Sequence, residues 1–207
     1  ASPTDRTALT DLAAAAGLEP IQQRVYVLPN GVDLGYFSPT DEPRLPAALV
    51  LTGKMSYHAN ITAAQELVRE IMPLVWAQRP DVEVWIVGKD PAREVWALAN
   101  EAADAHVTVT GTVPDIRVYL RRAAIAVAPV PYGAGIQNKV LEAMACAAPV
   151  IASSQAVSAL HTMDGRDLLV AADSAEFARR ILSLLDSPER RRVLGEAGRK
   201  SVEQRHA

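Results

Sequence analysis

The chain has 207 residues, 49% of them apolar, and a mean hydropathy of +0.05, which is enough to bury one core and too little for two full-sized domains. Its 21 basic and 24 acidic residues form no basic block, which argues against a nucleic-acid surface. A single cysteine, Cys146, excludes an internal disulfide framework and suits a reducing compartment. No apolar run approaches the ~20 residues of a membrane span and the first residues lack a leader pattern, so the expected setting is soluble and cytoplasmic. Membrane contact, at the inner face, would fall to regions outside this chain.

The first twenty residues are an Ala-rich helical stretch ending at Gly17 and Pro20. A short apolar run at 25–28 precedes Pro-Asn-Gly at 29–31, a turn signal. From 33 to 46, Gly35, Pro39, Pro43 and Pro46 read as a linker, with Asn30 and Asp33 as its punctuation. A domain is therefore expected to begin near Ala47.

Strand-like and helix-like runs then alternate. Residues 47–52 form an apolar run closed by Gly53, and 82–87 a second one closed by Gly88. Between them Asn60 can cap a helix carrying Ile61, Ala64, Leu67, Val68 and Ile71 at helical spacing, with Pro73 kinking it or starting its last segment. A helix with Pro91 in its first turn runs to about Ala103, followed by a strand at 106–110 and a short helix at 114–123. Residues 124–130 form the next strand, then a loop at 131–135 and a helix to about Ala147. Short strands at 149–152 and 168–171 precede two helices from Ser174, the second starting at Pro188. Helices between short apolar strands predict right-handed crossovers and a parallel sheet, hence an α/β, Rossmann-like doubly wound domain with its ligand outside the carboxyl ends of the strands. Gly53, Gly88, Gly111 and the 131–135 loop all fall at that edge.

The stretch richest in chemistry is Pro-Tyr-Gly-Ala-Gly-Ile-Gln-Asn-Lys-Val-Leu-Glu-Ala-Met-Ala-Cys-Ala-Ala-Pro-Val at 131–150. Gly133 and Gly135 let a ligand approach the main chain, and the amides at the helix start favour an anion. Lys139 adds a point charge, and Glu142, one turn on, is a fitting acceptor for a ribose diol. On spacing alone this could meet any phosphate ligand. It could equally be an ordinary strand–loop–helix in which Lys139 and Glu142 form a weak surface pair.

In these residues the chain resembles the carboxy-terminal domain of family 4 glycosyltransferases of the GT-B fold. Leu-Glu-Ala-Met-Ala at 141–145 with Pro149 and Val150 matches their helix motif, and Pro-Asn-Gly-Val-Asp at 29–33 their interdomain segment. Gly53-Lys54, Gly88 and Gly-Thr-Val at 111–113 match their strand ends, and the wording of 135–139 is similar to a bacterial subgroup associated with exopolysaccharide synthesis. The resemblance implies a nucleotide-sugar donor, an acceptor glycan or lipid-linked sugar held by a missing N-terminal domain, and no divalent metal or other cofactor. It divides the chain into the end of the acceptor domain and linker (1–46), a donor-binding domain (47–187) and a truncated C-terminal helix (188–207).

By the same resemblance, Lys54 is catalytic, stabilising the departing diphosphate; Lys139, from its place near the start of its helix, is read as the second catalytic charge. The donor would meet Gly53, Lys54, Val113, Gly133, Ala134, Gly135, Ile136, Gln137, Asn138, Lys139 and Glu142, with Val113 at the base and Glu142 at the ribose. It also implies retention of anomeric configuration. Two departures stand out: Ala134 replaces a Glu that contacts the transferred sugar, and Ala59-Asn60 stand where many members have a second Lys. Lys139 could supply that charge instead.

Two other readings remain open: a sugar-nucleotide epimerase on the same fold, and a non-catalytic nucleotide-sugar-binding module. Ala134 disfavours the first and favours the second, while Lys54, Lys139 and Glu142 oppose the second. His58 reads as solvated, His106 and His161 as structural, and Trp76, Trp85 and Trp96 as core. Asp115 and Arg117 border the base pocket or cap a helix, and Ser153 and Ser154 have weak support as ligand contacts. No His, Cys and Asp cluster has metal-ligand spacing.

Overall fold

The computed structural model describes residues 3–18, 25–26, 30–101, 107–133 and 137–206. Residues 27 and 28 of the apolar run, His106, and the loop positions Ala134, Gly135 and Ile136 lie outside them.

Six strands, β1 (Ala48–Thr52), β2 (Glu83–Val87), β3 (Val107–Val109), β4 (Ile125–Ala128), β5 (Val150–Ser153) and β6 (Leu169–Ala171), form one sheet in the order β3-β2-β1-β4-β5-β6. Every pairing is parallel, as the alternating strand and helix runs predict. Both faces are covered, so the strands read as continuous apolar runs and not as alternation. The pleat still sorts them. Leu49, Leu51, Val84, Ile86, Ile125 and Val127 join one core, while Val50, Val87, Ala126, Ala128, Val150 and Ala152 join the other. The first face carries the larger side chains; each fully buried Leu or Ile contributes about 1.5–3 kcal/mol.

After α1 (Pro3–Ala15), the remaining helices are α2 (His58–Glu66), α3 (Met72–Trp76), α4 (Arg93–Glu101), α5 (Arg117–Arg122), α6 (Asn138–Ala145), α7 (Ser154–Val157), α8 (Ser174–Leu185) and α9 (Pro188–Arg205). A π-helical turn, Leu67–Ile71, joins α2 to α3, and Pro73 then starts the last segment. Proline has no N–H to give the preceding turn, so the extra residue is accommodated there.

Three sequence expectations are revised. Asn60 does not cap α2: Tyr57 is the N-cap residue, and Asn60 is buried inside the first turn with both ends of its amide bonded. Helix α4 starts at Arg93, two residues after Pro91. Trp96 is not core; it is 46% exposed, its ring in van der Waals range of any Cβ at Gly111. The turn-rich stretch at 33–46 is fastened to the domain. Val32, Leu34 and Phe37 pack on the second core. Arg44 donates to the carbonyls of Leu120, Ala123 and Cys146, Arg121 to Ser38, and Arg199 to the carbonyls of Phe37 and Ala145.

Candidate functional site

In this strand order the connections leave β1 and β4 in opposite directions, so a crevice opens between their carboxyl ends, the place where such sheets take ligands. The β1 end continues as Gly53-Lys54, and the β4 end as the loop entering α6. Each is held from several sides.

Strand-end glycines align the edge. The Gly53 N–H donates to the Val87 carbonyl at 3.1 Å and the Gly88 N–H to the Gly111 carbonyl at 3.3 Å. A Cβ on Gly88 would overlap the Gly53 carbonyl oxygen. A Cβ on Gly53 would sit 2.8 Å from Asn60 Nδ2 and 3.4 Å from Lys139 Nζ, so the side chains of α2 and α6 come together directly over this glycine.

Asn60 Nδ2 donates to the Lys54 carbonyl at 2.9 Å, and its Oδ1 accepts a short hydrogen bond from Lys139 Nζ. The fold thus brings Gly53, the Lys54 main chain and Lys139 to one point, through a residue whose sequence context suggests a helix cap. Burial pulls the Lys139 ammonium down to about 8, with Glu142 opposing the shift. Burial likewise pushes the Glu142 carboxyl up, and the Lys139 charge offsets part of that. The Lys54 side chain is exposed.

Gly133, at φ +130°, turns the β4 loop, and its carbonyl accepts from Gln155 Nε2 at 2.6 Å. Any Cβ there would be 3.9 Å from Tyr57 Oη and 4.0 Å from Gln137 Nε2. The two loops are also joined by rings: His58 lies 4.5 Å from Tyr57 and stacks on Tyr132 at 5.3 Å, and Tyr132 Oη shares a hydrogen bond with Thr62 Oγ1. Gln137 is the N-cap residue of α6 and makes no side-chain cap bond, while Val140 N–H donates to its carbonyl at 2.9 Å. Val113, beyond the outermost strand β3, packs on the second core.

Asn30 is more than punctuation. Its Nδ2 donates to Asn138 Oδ1 at 2.9 Å, and its carbonyl meets His206 Nδ1 at 3.0 Å, tying the first residue of α6 to the end of α9. Asp33 does form the turn expected of it, accepting from the amides of Gly35 and Tyr36. Ser153 is committed elsewhere: its Oγ donates to the Val130 carbonyl and accepts from Ala156 N–H, capping α7. Asp115 accepts from the Arg117 amide and guanidinium, and that hydrogen bond, ahead of any other influence, holds its carboxyl below the usual range. Arg117 stacks 3.9 Å over the Tyr36 ring, so this pair clamps the 33–46 stretch. Buried Cys146, with its thiol pushed up to about 11 by desolvation, has none of the thiolate character of a nucleophile.

Sequence reasoning missed Asn60, Tyr57, Tyr132 and Gln155. Only Asn60 left a signal, an amide side chain in an otherwise apolar helical stretch six residues after Lys54. Among the described residues no group of three or more His, Cys, Asp or Glu could hold a metal, and no helix is long and apolar enough to cross a membrane.

Comparison with known proteins gives a consistent answer. The family model of the glycosyl transferases group 1 matches residues 46–187. The putative glycosyltransferase EpsD of Bacillus subtilis (strain 168) is 32% identical over 147 residues, covering 69% of this chain and 38% of EpsD. The C-terminal domain of the glycosyl transferase group 1 family protein LpcC from Francisella tularensis superposes with a TM-score of 0.70 at 19% identity, covering 84% of this chain and 98% of that one. Anabaena Alr3699/HepE, solved in complex with UDP and glucose, superposes with a TM-score of 0.72 at 15% identity, covering 99% of this chain and 57% of that one. The chain spans between 38% and 54% of the length of the curated relatives it matches. A doubly wound sheet, a crevice at its switch point and a family match across that sheet agree: the chain belongs to the group 1 glycosyl transferases.

Proposed function

We propose that this chain is the donor-binding half of a glycosyltransferase that moves a sugar from a nucleoside diphosphate sugar to an acceptor hydroxyl. The single observation carrying this reading is the Lys139 ammonium held over Gly53 at the sheet's switch point. When the glycosidic bond to phosphate breaks, negative charge grows on the departing diphosphate. A preplaced ammonium in a partly desolvated crevice stabilises that charge more than water does. Lys54 adds a second, exposed charge at the mouth. The amides of Gln137 and Asn138 at the start of α6 complete the anion site, Glu142 accepts from the ribose hydroxyls, and the main chain at Val113 meets the base. Likeness to a chain solved with UDP and glucose supports a sugar-nucleotide ligand.

The acceptor, a glycan or lipid-linked sugar, would be held outside this chain, together with any membrane contact. The cytoplasm fits, since a lone thiol such as Cys146 suits a reducing compartment. No divalent metal enters the reading, because the ammonium groups supply the charge; a chelator should leave donor affinity unchanged.

Calorimetric titration of the chain with UDP, GDP and ADP tests the proposal. One of the three should bind, and Lys139→Ala should weaken it. A chain that binds none would be a non-catalytic relative, the reading that Ala134 favours.

A further inference from the structure

Asn60 sits in the first turn of α2, 6% exposed, with each end of its amide committed. The nitrogen end donates to the Lys54 carbonyl at 2.9 Å, which fixes how the group is turned. That leaves the oxygen end facing Lys139 Nζ from α6. The opposite orientation would set an NH₂ against an ammonium and a carbonyl oxygen against a carbonyl oxygen, so the amide has one workable pose. A lysine side chain has four rotatable bonds and a point charge with no direction of its own, so an ammonium stays at one spot only if an acceptor holds it. Here the acceptor is neutral. A carboxylate would hold the cation harder while cancelling the field that an anionic ligand should feel.

We propose that Asn60 is a positioning residue: it holds the Lys139 ammonium over Gly53, on the ligand side of the switch point, through a neutral acceptor and ready for a diphosphate. The inference rests on the donor-site reading above and adds the residue that prepares its central charge. The charge acting on this ammonium is that of Glu142, one turn on along α6; the other ionisable groups on the described elements around it are Lys54 after β1, Tyr57, His58 and Glu66 at and along α2, and Tyr132 in the loop after β4. With Lys139 lowered to about 8, diphosphate affinity should hold steady below that pH and fall above it, where protonating the lysine must come out of the binding free energy.

The experiment titrates the 207-residue chain with UDP, GDP and ADP by calorimetry, follows the tightest from pH 6.5 to 9.5, and repeats this for Asn60→Ala, Asn60→Asp, Lys139→Ala and the Asn60→Ala/Lys139→Ala double variant, each checked for folding by circular dichroism. Asn60→Ala and Lys139→Ala should each weaken binding about tenfold to a hundredfold, the scale of a lost charged hydrogen-bond partner, and the double variant no more than Lys139→Ala alone. Losses that multiply, or an Asn60→Ala chain that binds as wild type, overturn the positioning role. Should Asn60→Ala fail to fold, the near-isosteric Asn60→Asp decides: its carboxylate should weaken binding and move the fall in affinity to higher pH. An unchanged profile overturns the role. If wild type binds none of the three, the donor reading itself fails and the role of Asn60 falls with it. Binding that ignores Asn60 defeats the role alone.

Discussion

The carbonyl oxygen of Gly53 occupies the space that a side chain on Gly88 would need, so the ends of β1 and β2 touch through bare backbone. Gly88 also has φ +153°, a conformation that side-chain-bearing residues rarely adopt. Gly88→Ala should therefore combine strain with a backbone collision and lower stability by about 3 kcal/mol or more. Urea unfolding followed by circular dichroism measures it; a loss under about 1 kcal/mol would mean that the strand ends separate easily.

Lys139 is ionised at neutral pH in the unfolded chain, where it has the ordinary lysine value of 10.5, and burial lowers it to about 8 in the folded one. Below pH 8 both states carry the proton and the full cost of burying the charge is present. Between about 8 and 10.5 the unfolded chain binds more protons, so this residue's contribution to stability improves as pH rises. The whole effect is on the order of 3 kcal/mol before screening by solvent reduces it. Lys139→Met should be the more stable protein at pH 7, and the gap should close by pH 10. A gap independent of pH would show that the ammonium is not desolvated.

Two arginines with similar hydrogen-bond counts should behave differently. Arg44 is pulled down to about 10 by burial and donates to three main-chain carbonyls, those of Leu120, Ala123 and Cys146. Arg44→Met should cost about 3 kcal/mol, because each abandoned carbonyl loses its partner away from water. Arg192 bonds Glu189 and Glu196 with its side chain 56% exposed, and Arg192→Ala should leave stability nearly unchanged. Thermal melts of the two variants side by side check the ranking.

Strands and strand-end glycines were legible because their causes are local. The β1 run declares itself by five consecutive apolar or small residues and the glycine after them, and Gly88 and Gly111 repeat the signal. Lys139 and Glu142 were legible for a similar reason, one turn apart on a helix after a glycine loop. What holds Lys139 was not, since Asn60 lies 79 positions away and no periodicity joins the two. The link from Asn30 to His206 spans 176 positions and was equally silent. The stretch at 33–46 read as a linker because its prolines and glycine are turn signals. The arginines that fasten it, Arg44, Arg117, Arg121 and Arg199, register in a sequence only as charge.

The claim that a nucleoside diphosphate binds with its phosphates against Lys139 and Gly53 is met most directly by a crystal structure of the chain grown with whichever of UDP, GDP or ADP binds tightest. Diphosphate oxygens within hydrogen-bond reach of Lys139 Nζ, over Gly53 and beside the start of α6, are the predicted result. A diphosphate seated instead in the groove of about 790 Å³ between Arg44, Pro188 and Arg191, with Lys139 still turned to Asn60 alone, would contradict it.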